Sequence, residues 1–362
     1  MSRVTVLVPT YNREALLPGC LESIRAQTYT DWKAVVGDNA STDGSADIVR
    51  AMGDPRFELV LRAENVGYVR NTNMLLDGVD TELVAILHSD DWWEPDFLAR
   101  LVDLLDNAPD AIIAICAPRL VFESGKSRVD RLDRAASFSG RAVLSSPDAA
   151  RMLVRSWAYL TPSDAVTRRD LYKRFRYEES LPYTNDRAMW LRAASMGAVA
   201  ICNEPLANNR MHASSVFGQS AGDLLWADEG IRMTTLLEAE WRQNGAPYPG
   251  AAYELRTMEA LRFVMKSYEL HEQGDRKGAL KLIRLARENA PSRGWWTLAA
   301  LQGLFIGVTS PTAAVRVRRL VAKLARRIPR SRRPGGGRAY NRPGENLRWS
   351  AGDILRALRE SD

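Results

Sequence analysis

The strongest constraint on the fold is the rhythm of the first 120 residues. Short apolar runs at 4–8, 32–37, 57–61, 83–87 and 112–117 alternate with longer stretches at 14–27, 45–52, 68–76 and 95–107. In the longer stretches apolar residues recur at helical spacing, as with Leu17, Leu21 and Ile24. Short apolar runs bounded by turn residues read as buried strands, and the amphipathic stretches read as helices. Ser45 and Asn65 stand near helix entries, and Pro95 suits a first helical turn. Alternation of this kind predicts an α/β fold with a doubly wound, mostly parallel sheet, because parallel neighbours need a crossover helix. Ligands of such sheets bind beyond the carboxyl ends of the strands. The residues just after each apolar run are therefore the ones to read for chemistry.

After the first run comes Pro9-Thr10-Tyr11-Asn12-Arg13. It is neither a G-x-G-x-x-G dinucleotide turn nor a G-x-x-x-x-G-K phosphate loop. An aromatic ring beside an amide suits stacking on a nucleobase and hydrogen bonding to it, though the same stretch also suits an ordinary turn. After the second run stands Asp38-Asn39-Ala40-Ser41-Thr42-Asp43-Gly44. Asp38 is read as a base- or ribose-binding acceptor and Asp43 as the cap of the next helix. After the third, Asn65-Val66-Gly67-Tyr68-Val69-Arg70-Asn71 offers Gly67 for close backbone approach and Arg70 as a cation, for a ligand or for a surface acid. After the fourth, His88-Ser89-Asp90-Asp91 puts adjacent carboxylates at the ligand edge. A hard divalent ion, Mn2+ or Mg2+, relieves their repulsion; two solvated acids before a helix are the alternative.

Beyond Pro118 the pattern loosens. A hairpin over 120–129 turns at Ser124-Gly125-Lys126, helices are expected at 147–155, 169–174 and 186–196, and short strands at 198–202 and 206–210. The remainder reads as helical at 223–242, 251–271, 276–289 and 311–327, with a flexible linker over 330–343. The 274–291 stretch is similar to one tetratricopeptide helix but has no second copy, so it reads as part of a plain helical pair. The expected division is a catalytic domain at 1–215, a helical extension at 216–310, and a basic amphipathic helix with a flexible tail at 311–362.

An apolar fraction of 46% excludes a disordered chain. No run approaches the roughly 20 apolar residues of a membrane span. The N-terminus is too short for a signal-peptide core and reads as a first strand of a cytoplasmic protein. Cys20, Cys116 and Cys202 are far apart and read as reduced and buried. The net charge of +6 is local: residues 289–344 hold 12 Lys and Arg and no acid, leaving 38 basic against 44 acidic residues elsewhere. That distribution suits an anionic membrane surface and argues against nucleic-acid binding by the catalytic domain. Within 311–327, Val317, Leu320, Val321 and Leu324 share one helical face with arginines elsewhere, the pattern of an interfacial helix at the inner face of the plasma membrane or of a helix packed on its domain.

Taken together, P-T-Y-N-R at 9–13, D-N-A-S-T-D-G at 38–44, N-V-G-Y-V-R-N at 65–71, H-S-D-D at 88–91, N-D-R-A-M-W-L-R at 185–192 and N-R-M-H at 209–212 resemble family 2 glycosyltransferases with the GT-A fold. The resemblance leaves the last 150 residues uncovered. It implies an inverting transfer of a sugar from a nucleotide-sugar, usually a UDP-sugar, to a hydroxyl of a glycan, lipid-linked or small-molecule acceptor. It implies donor binding by Pro9, Tyr11, Asn12, Arg13, Asp38, Asn65, Gly67, Arg70, His88, Ser89 and Asp90. Asp90 would hold the metal, with Asp91 and His212 as further candidates, and Asp186 would be the catalytic base. The sequence departs from the family pattern at His88, where the first acid of the D-x-D motif is expected, and at Asn185, where the family has Glu. Those departures keep open a non-catalytic relic of the fold; a sugar-phosphate nucleotidyltransferase is the other alternative, which lacks its glycine-rich phosphate loop here. Aromatic residues at 157–183 (Trp157, Tyr159, Tyr172, Tyr177 and Tyr183) are either acceptor platforms or core.

Overall fold

The computed structural model describes residues 2–130, 132, 140–156, 160–212, 224–292 and 294. The helix expected at 311–327, the linker at 330–343, Trp157 and Tyr159 lie outside these residues. The chain divides into two compact units, Met1–Gln219 and Ser220–Asp362.

The first unit runs β1 (Val4–Thr10), α1 (Leu17–Arg25), β2 (Trp32–Asp38), α2 (Ser45–Ala51), β3 (Phe57–Leu61), α3 (Tyr68–Asp77), β4 (Leu83–Ile86), β5 (Trp92–Trp93), α4 (Phe97–Asp106), β6 (Ala111–Phe122), β7 (Ser127–Val129), β8 (Arg141–Leu144), α5 (Ser146–Arg155), a 3-10 turn (Pro162–Asp164), β9 (Ala165–Arg168), α6 (Asp170–Arg174), α7 (Asn185–Met196) and β10 (Ala198–Met211). The strands form one sheet ordered β3-β2-β1-β4-β9-β6-β10-β5, with β7 on β6 and β8 on β10. β1 is parallel to β2 and β4, β2 to β3, and β10 to β6; β9 lies antiparallel between β4 and β6. The six main strands therefore share one direction, and this is the mostly parallel α/β sheet expected. The chain winds outward from β1 to β3 and then returns to the other side of β1 as β4. That reversal is a topological switch point, where such sheets open a crevice.

Every residue of β1 is buried, as a central strand covered on both faces requires. On one face Leu17, Leu21 and Ile24 of α1 and Phe97, Leu98 and Leu101 of α4 pack on Val4, Val6, Val8 and Val36. α3 covers β2 at Gly37, where a Cβ would come within 2.6 Å of the Leu75 side chain. Glycine is what lets that helix approach.

Several elements differ from the sequence reading for physical reasons. α1 starts at Leu17 rather than at 14: Pro18 has no amide to give the Glu14 carbonyl and sits in the first turn instead, while the amides of Arg13 and Glu14 go to Ser45 and Asp43. Pro95 lies before the first turn of α4, not in it: the Pro95 carbonyl accepts from the Thr28 amide, and Gln27 Oε1 accepts from Leu98 N at 2.9 Å. The two short strands expected at 198–202 and 206–210 are one strand, β10, with a register shift between Cys202 and Ala207. Pro205 in that interval lacks the N–H a regular ladder needs. β5, β8 and β9 were not read, being two to four residues long and defined only by distant partners. Tyr172 and Tyr177 are core residues, each 3% exposed.

The second unit contains α8 (Leu225–Asn244), α9 (Ala251–Glu272) and α10 (Arg276–Glu288). Phe263, Tyr268, Leu282, Ile283 and Ala286 pack around Leu224 and Ala227. Arg256 of α9 donates to both carboxylate oxygens of Glu238 on α8. Asp275 caps α10 by accepting from Gly278 N at 2.9 Å. No helix among the described residues is long and apolar enough to cross a membrane.

Candidate functional site

The loops after β1 and β2 are laced together. Asn12 takes a left-handed φ of 50°, which asparagine tolerates better than most residues. Its amide donates to Ser41 Oγ at 2.9 Å, and its Oδ1 accepts from Thr42 N at 2.8 Å. Arg13 N donates to Ser45 Oγ, and Asp43 accepts from both Glu14 N and Ser45 N. Asp43 thus caps the start of α2, as expected, and also clamps the first loop to the second. Pro9 is buried inside β1, opposite Gly37, whereas Tyr11 is 41% exposed at the strand ends.

Asp38, the last residue of β2, is only 3% exposed. Its Oδ1 accepts from Ser41 N at 2.7 Å, while its Oδ2 is buried without a partner. A buried acceptor left unmatched is costly unless a ligand or water supplies the donor. Asn39, which the sequence reading passed over, ties this strand end to the third loop. Its Nδ2 donates to Asn65 Oδ1 at 2.7 Å, and its Oδ1 accepts from Val66 N at 3.0 Å. Asn65 also accepts from Gly67 N, and Gly67 has φ 84°. Asn65 therefore shapes the loop, and Gly67 turns the chain into α3. Arg70 is exposed, with no ion pair among the described residues.

The His88–Asp91 turn sits where β4 ends beside β1. Asp90 is 15% exposed; its Oδ2 is 2.9 Å from His212 Nε2 and 4.0 Å from Arg13 Nε. Arg210 donates from Nε to the Asp90 carbonyl at 3.1 Å and lies over the Trp92 ring. Asp91 is more deeply committed: Oδ1 accepts from Arg210 N at 2.8 Å and Oδ2 from Ser163 Oγ at 2.7 Å. Burial, then the neighbouring Asp90 charge, holds the Asp91 carboxyl well above the usual carboxylate range. His88 Nε2 is 2.9 Å from the Tyr68 hydroxyl, and burial pulls its imidazole below the usual range. Ser89 is buried.

One ligand atom each from His88, Asp90 and Asp91 falls within 4.8 Å of the others, so the group could hold a metal ion. The donor set fits a hard divalent cation best through Asp90, because both Asp91 oxygens already accept hydrogen bonds and imidazole is a softer ligand. His212 reaches Asp90 from the end of β10.

Asp186 lies in the first turn of α7, half-buried, and accepts no hydrogen bond among the described residues. Burial pushes its carboxyl up to about 7. Asn185 beside it is buried and stitches a loop, donating to the Glu178 carbonyl at 2.9 Å and accepting from Glu178 N at 2.6 Å. The Tyr68 phenol is raised by burial and then by the Asp186 charge, with Asp90 also contributing. Tyr68 therefore lies within electrostatic reach of both acids, and the two share one neighbourhood.

Sequence reasoning missed two further polar groups. Ser163 Oγ accepts from His88 N at 3.1 Å and donates to Asp91, and its carbonyl accepts from Trp93 Nε1 at 2.7 Å. Asp164, fully buried, accepts from Thr161 N at 2.7 Å and from Asn209 Nδ2 at 3.1 Å. Burial raises its carboxyl to about 7. Nothing in P-S-D at 162–164 distinguishes these residues from an ordinary turn.

Against known proteins, the family model described as glycosyl transferase family 2 matches residues 5–176. Glycosyltransferase GlyA of Streptococcus pneumoniae is 35% identical over 100 residues, 27% of this chain and 14% of that one. The first curated relatives matched are covered over 14% to 32% of their own length. In fold, the chain is similar to S. aureus TarS 1–349 in complex with UDP-GlcNAc, with a TM-score of 0.61, 16% identity, and coverage of 88% and 92% of the two chains. It is also similar to mannosyltransferase PcManGT from Pyrobaculum calidifontis in complex with GDP-Man and Mn2+, with a TM-score of 0.53, 22% identity, and coverage of 89% and 88%. Motifs, sheet and family model agree over one stretch of the chain: residues 5–176 match the model of glycosyl transferase family 2.

Proposed function

We propose that this chain is an inverting glycosyltransferase that moves a sugar from a nucleotide-sugar to an acceptor hydroxyl, with catalysis in residues 1–215 and the later helices as an extension. The observation that carries the reading is the pairing of two unlike acids around Tyr68. Asp90 lies beside His212 and Arg13 at the switch point, and Asp186 is half-buried with its carboxyl raised to about 7. Two acids in such unlike surroundings suit two different jobs.

In this reading the base stacks on Tyr11 and donates to the unmatched Oδ2 of Asp38. Arg13 and Arg70 face the diphosphate, and Asn39, Asn65 and Gly67 hold the loop beneath it. A divalent ion on Asp90 and the donor phosphates, for which Mn2+ or Mg2+ is suited, would neutralise charge on the leaving nucleoside diphosphate. Asp186 takes the proton of the acceptor hydroxyl as that oxygen bonds to the anomeric carbon. The bond from that carbon to the phosphate oxygen breaks on the opposite side, and the nucleoside diphosphate leaves with the electron pair. General-base assistance of this kind is worth ~10²–10⁴-fold.

UDP is the first donor nucleotide to test, since TarS was solved with UDP-GlcNAc; PcManGT, solved with GDP-Man and Mn2+, makes GDP the second. The acceptor is a glycan, a lipid-linked saccharide or a small molecule. Donor turnover with Asp186→Asn tests the reading: transfer should vanish while the variant still binds the nucleotide. Full activity in that variant would remove Asp186 from the reaction.

A further inference from the structure

The family-level reading gives Tyr68 no task, yet the structure presents it with care. Gly67, at φ 84°, reverses the chain so that Tyr68 becomes the first residue of α3, half-buried at the strand ends. Its hydroxyl is 2.9 Å from His88 Nε2, and the two rings meet edge to face with centroids 5.5 Å apart. The other imidazole nitrogen, Nδ1, faces Asp91 Oδ2 at 3.6 Å. That carboxylate is fixed by Ser163 and by the Arg210 amide. Whichever of the phenol and Nε2 donates in the 2.9 Å contact, it fixes the Tyr68 ring against the turn that carries Asp90. Thr72 Oγ1 donates to the Tyr68 carbonyl at 2.9 Å. A phenolic hydroxyl both donates and accepts, so once engaged by His88 it keeps a second hydrogen-bonding position for another group. His88 precedes Asp90 by two residues, and the Asp186 charge reaches the same phenol. The phenol therefore lies beside the turn that carries the acid suited to the diphosphate and within electrostatic reach of the acid suited to the acceptor.

We propose that Tyr68 is a specificity-determining residue for the transferred sugar: its hydroxyl hydrogen-bonds one hydroxyl of the donor hexose and so selects among epimers. His88 acts through it, as the positioning group that holds the phenol in place. This gives the departure at His88 from the family's first acid a use. The inference rests on the nucleotide-sugar reading above, and the test separates the two.

Wild type and Tyr68→Phe would be titrated calorimetrically, with Mn2+, against UDP, GDP, UDP-glucose, UDP-galactose, UDP-GlcNAc, UDP-GalNAc and GDP-mannose. Loss of one neutral hydrogen bond should weaken the best-bound conjugate about tenfold, leave its parent nucleoside diphosphate within about twofold, and narrow the gap between epimers. The free nucleoside diphosphate serves as the control for folding. Equal weakening of conjugate and nucleotide, or no weakening of either, would overturn the assignment and leave the glycosyltransferase reading intact. No binding of any nucleotide by wild type would overturn that reading and this inference together.

Discussion

The two ends of the sheet in the first unit are built by different means. At the β3-β2-β1 end, the groups at the site are held by neighbours a few to about thirty residues away: Asp38 by Ser41, Asn12 by Ser41 and Thr42, Asn39 by Asn65. At the β9-β6-β10 end the partners are far apart in the chain. Asp91 meets Ser163 and Arg210, Asp90 meets His212, and Asp164 meets Asn209. The first end is a set of local turns on a parallel frame, the second a closure between remote segments. A change at the first end should therefore cost ligand affinity, and one at the second should also cost stability or chemistry.

The widest separation of the two ends should come from Asp186→Asn. We expect transfer to fall ~10²–10⁴-fold while nucleotide affinity stays nearly constant, measured by donor turnover beside calorimetry. The wild-type rate should also fall about tenfold per pH unit below the Asp186 carboxyl's value of about 7, and level off above it, since the base must be ionised to take a proton. Asp90→Ala comes next. It should remove the gain in nucleotide affinity that Mn2+ brings, by more than about tenfold, and leave metal-free binding little changed. A variant that kept the metal effect would move the ion elsewhere.

Ser163→Ala probes the closure alone. It leaves the His88 amide and Asp91 short of a partner, so unfolding by denaturant should show a loss of about 1–3 kcal/mol. Ser41→Ala, at the local end, should cost less, about 0.5–1.5 kcal/mol, since one neutral hydrogen bond to Asn12 N is lost in a half-buried turn. Equal losses would erase the distinction. A separate effect concerns pH and stability. Asp186 and Asp164, both held up to about 7, bind protons in the folded state at pH values where the unfolded chain has released them. Their contribution is therefore greatest in mild acid and is lost as pH rises from about 4 through about 7. Asp186→Asn should flatten that fall.

This contrast also explains what was legible in the sequence. The strands of the parallel half, the helices between them and the candidate donor residues follow one another in a fixed local order, so periodicity and turn chemistry suffice to read them. Asp43 is an example: its capping of α2 is a property of S-T-D-G itself, and only its clamp on Glu14 needed the fold. At the other half, Ala165–Arg168 is too short to declare itself a strand, and its place between β4 and β6 depends on residues 50 to 85 positions earlier. Ser163 and Asp164 carry no motif, because their importance comes from what faces them. His88 and Asn185 were visible as departures, but their partners, Tyr68 and Glu178, were not. Pro205 marked an interruption that the sequence reading took for a gap between two strands, whereas the ladder resumes at Ala207 with a shifted register.

The account depends most on a nucleotide site at the ends of β1, β2 and β4 that works with a divalent ion. Calorimetric titration of the wild-type protein with UDP, GDP, CDP and dTDP, each with and without Mn2+, tests this directly. The account predicts that one nucleotide binds selectively, and more tightly when Mn2+ is present. Failure of all four to bind under either condition would contradict it.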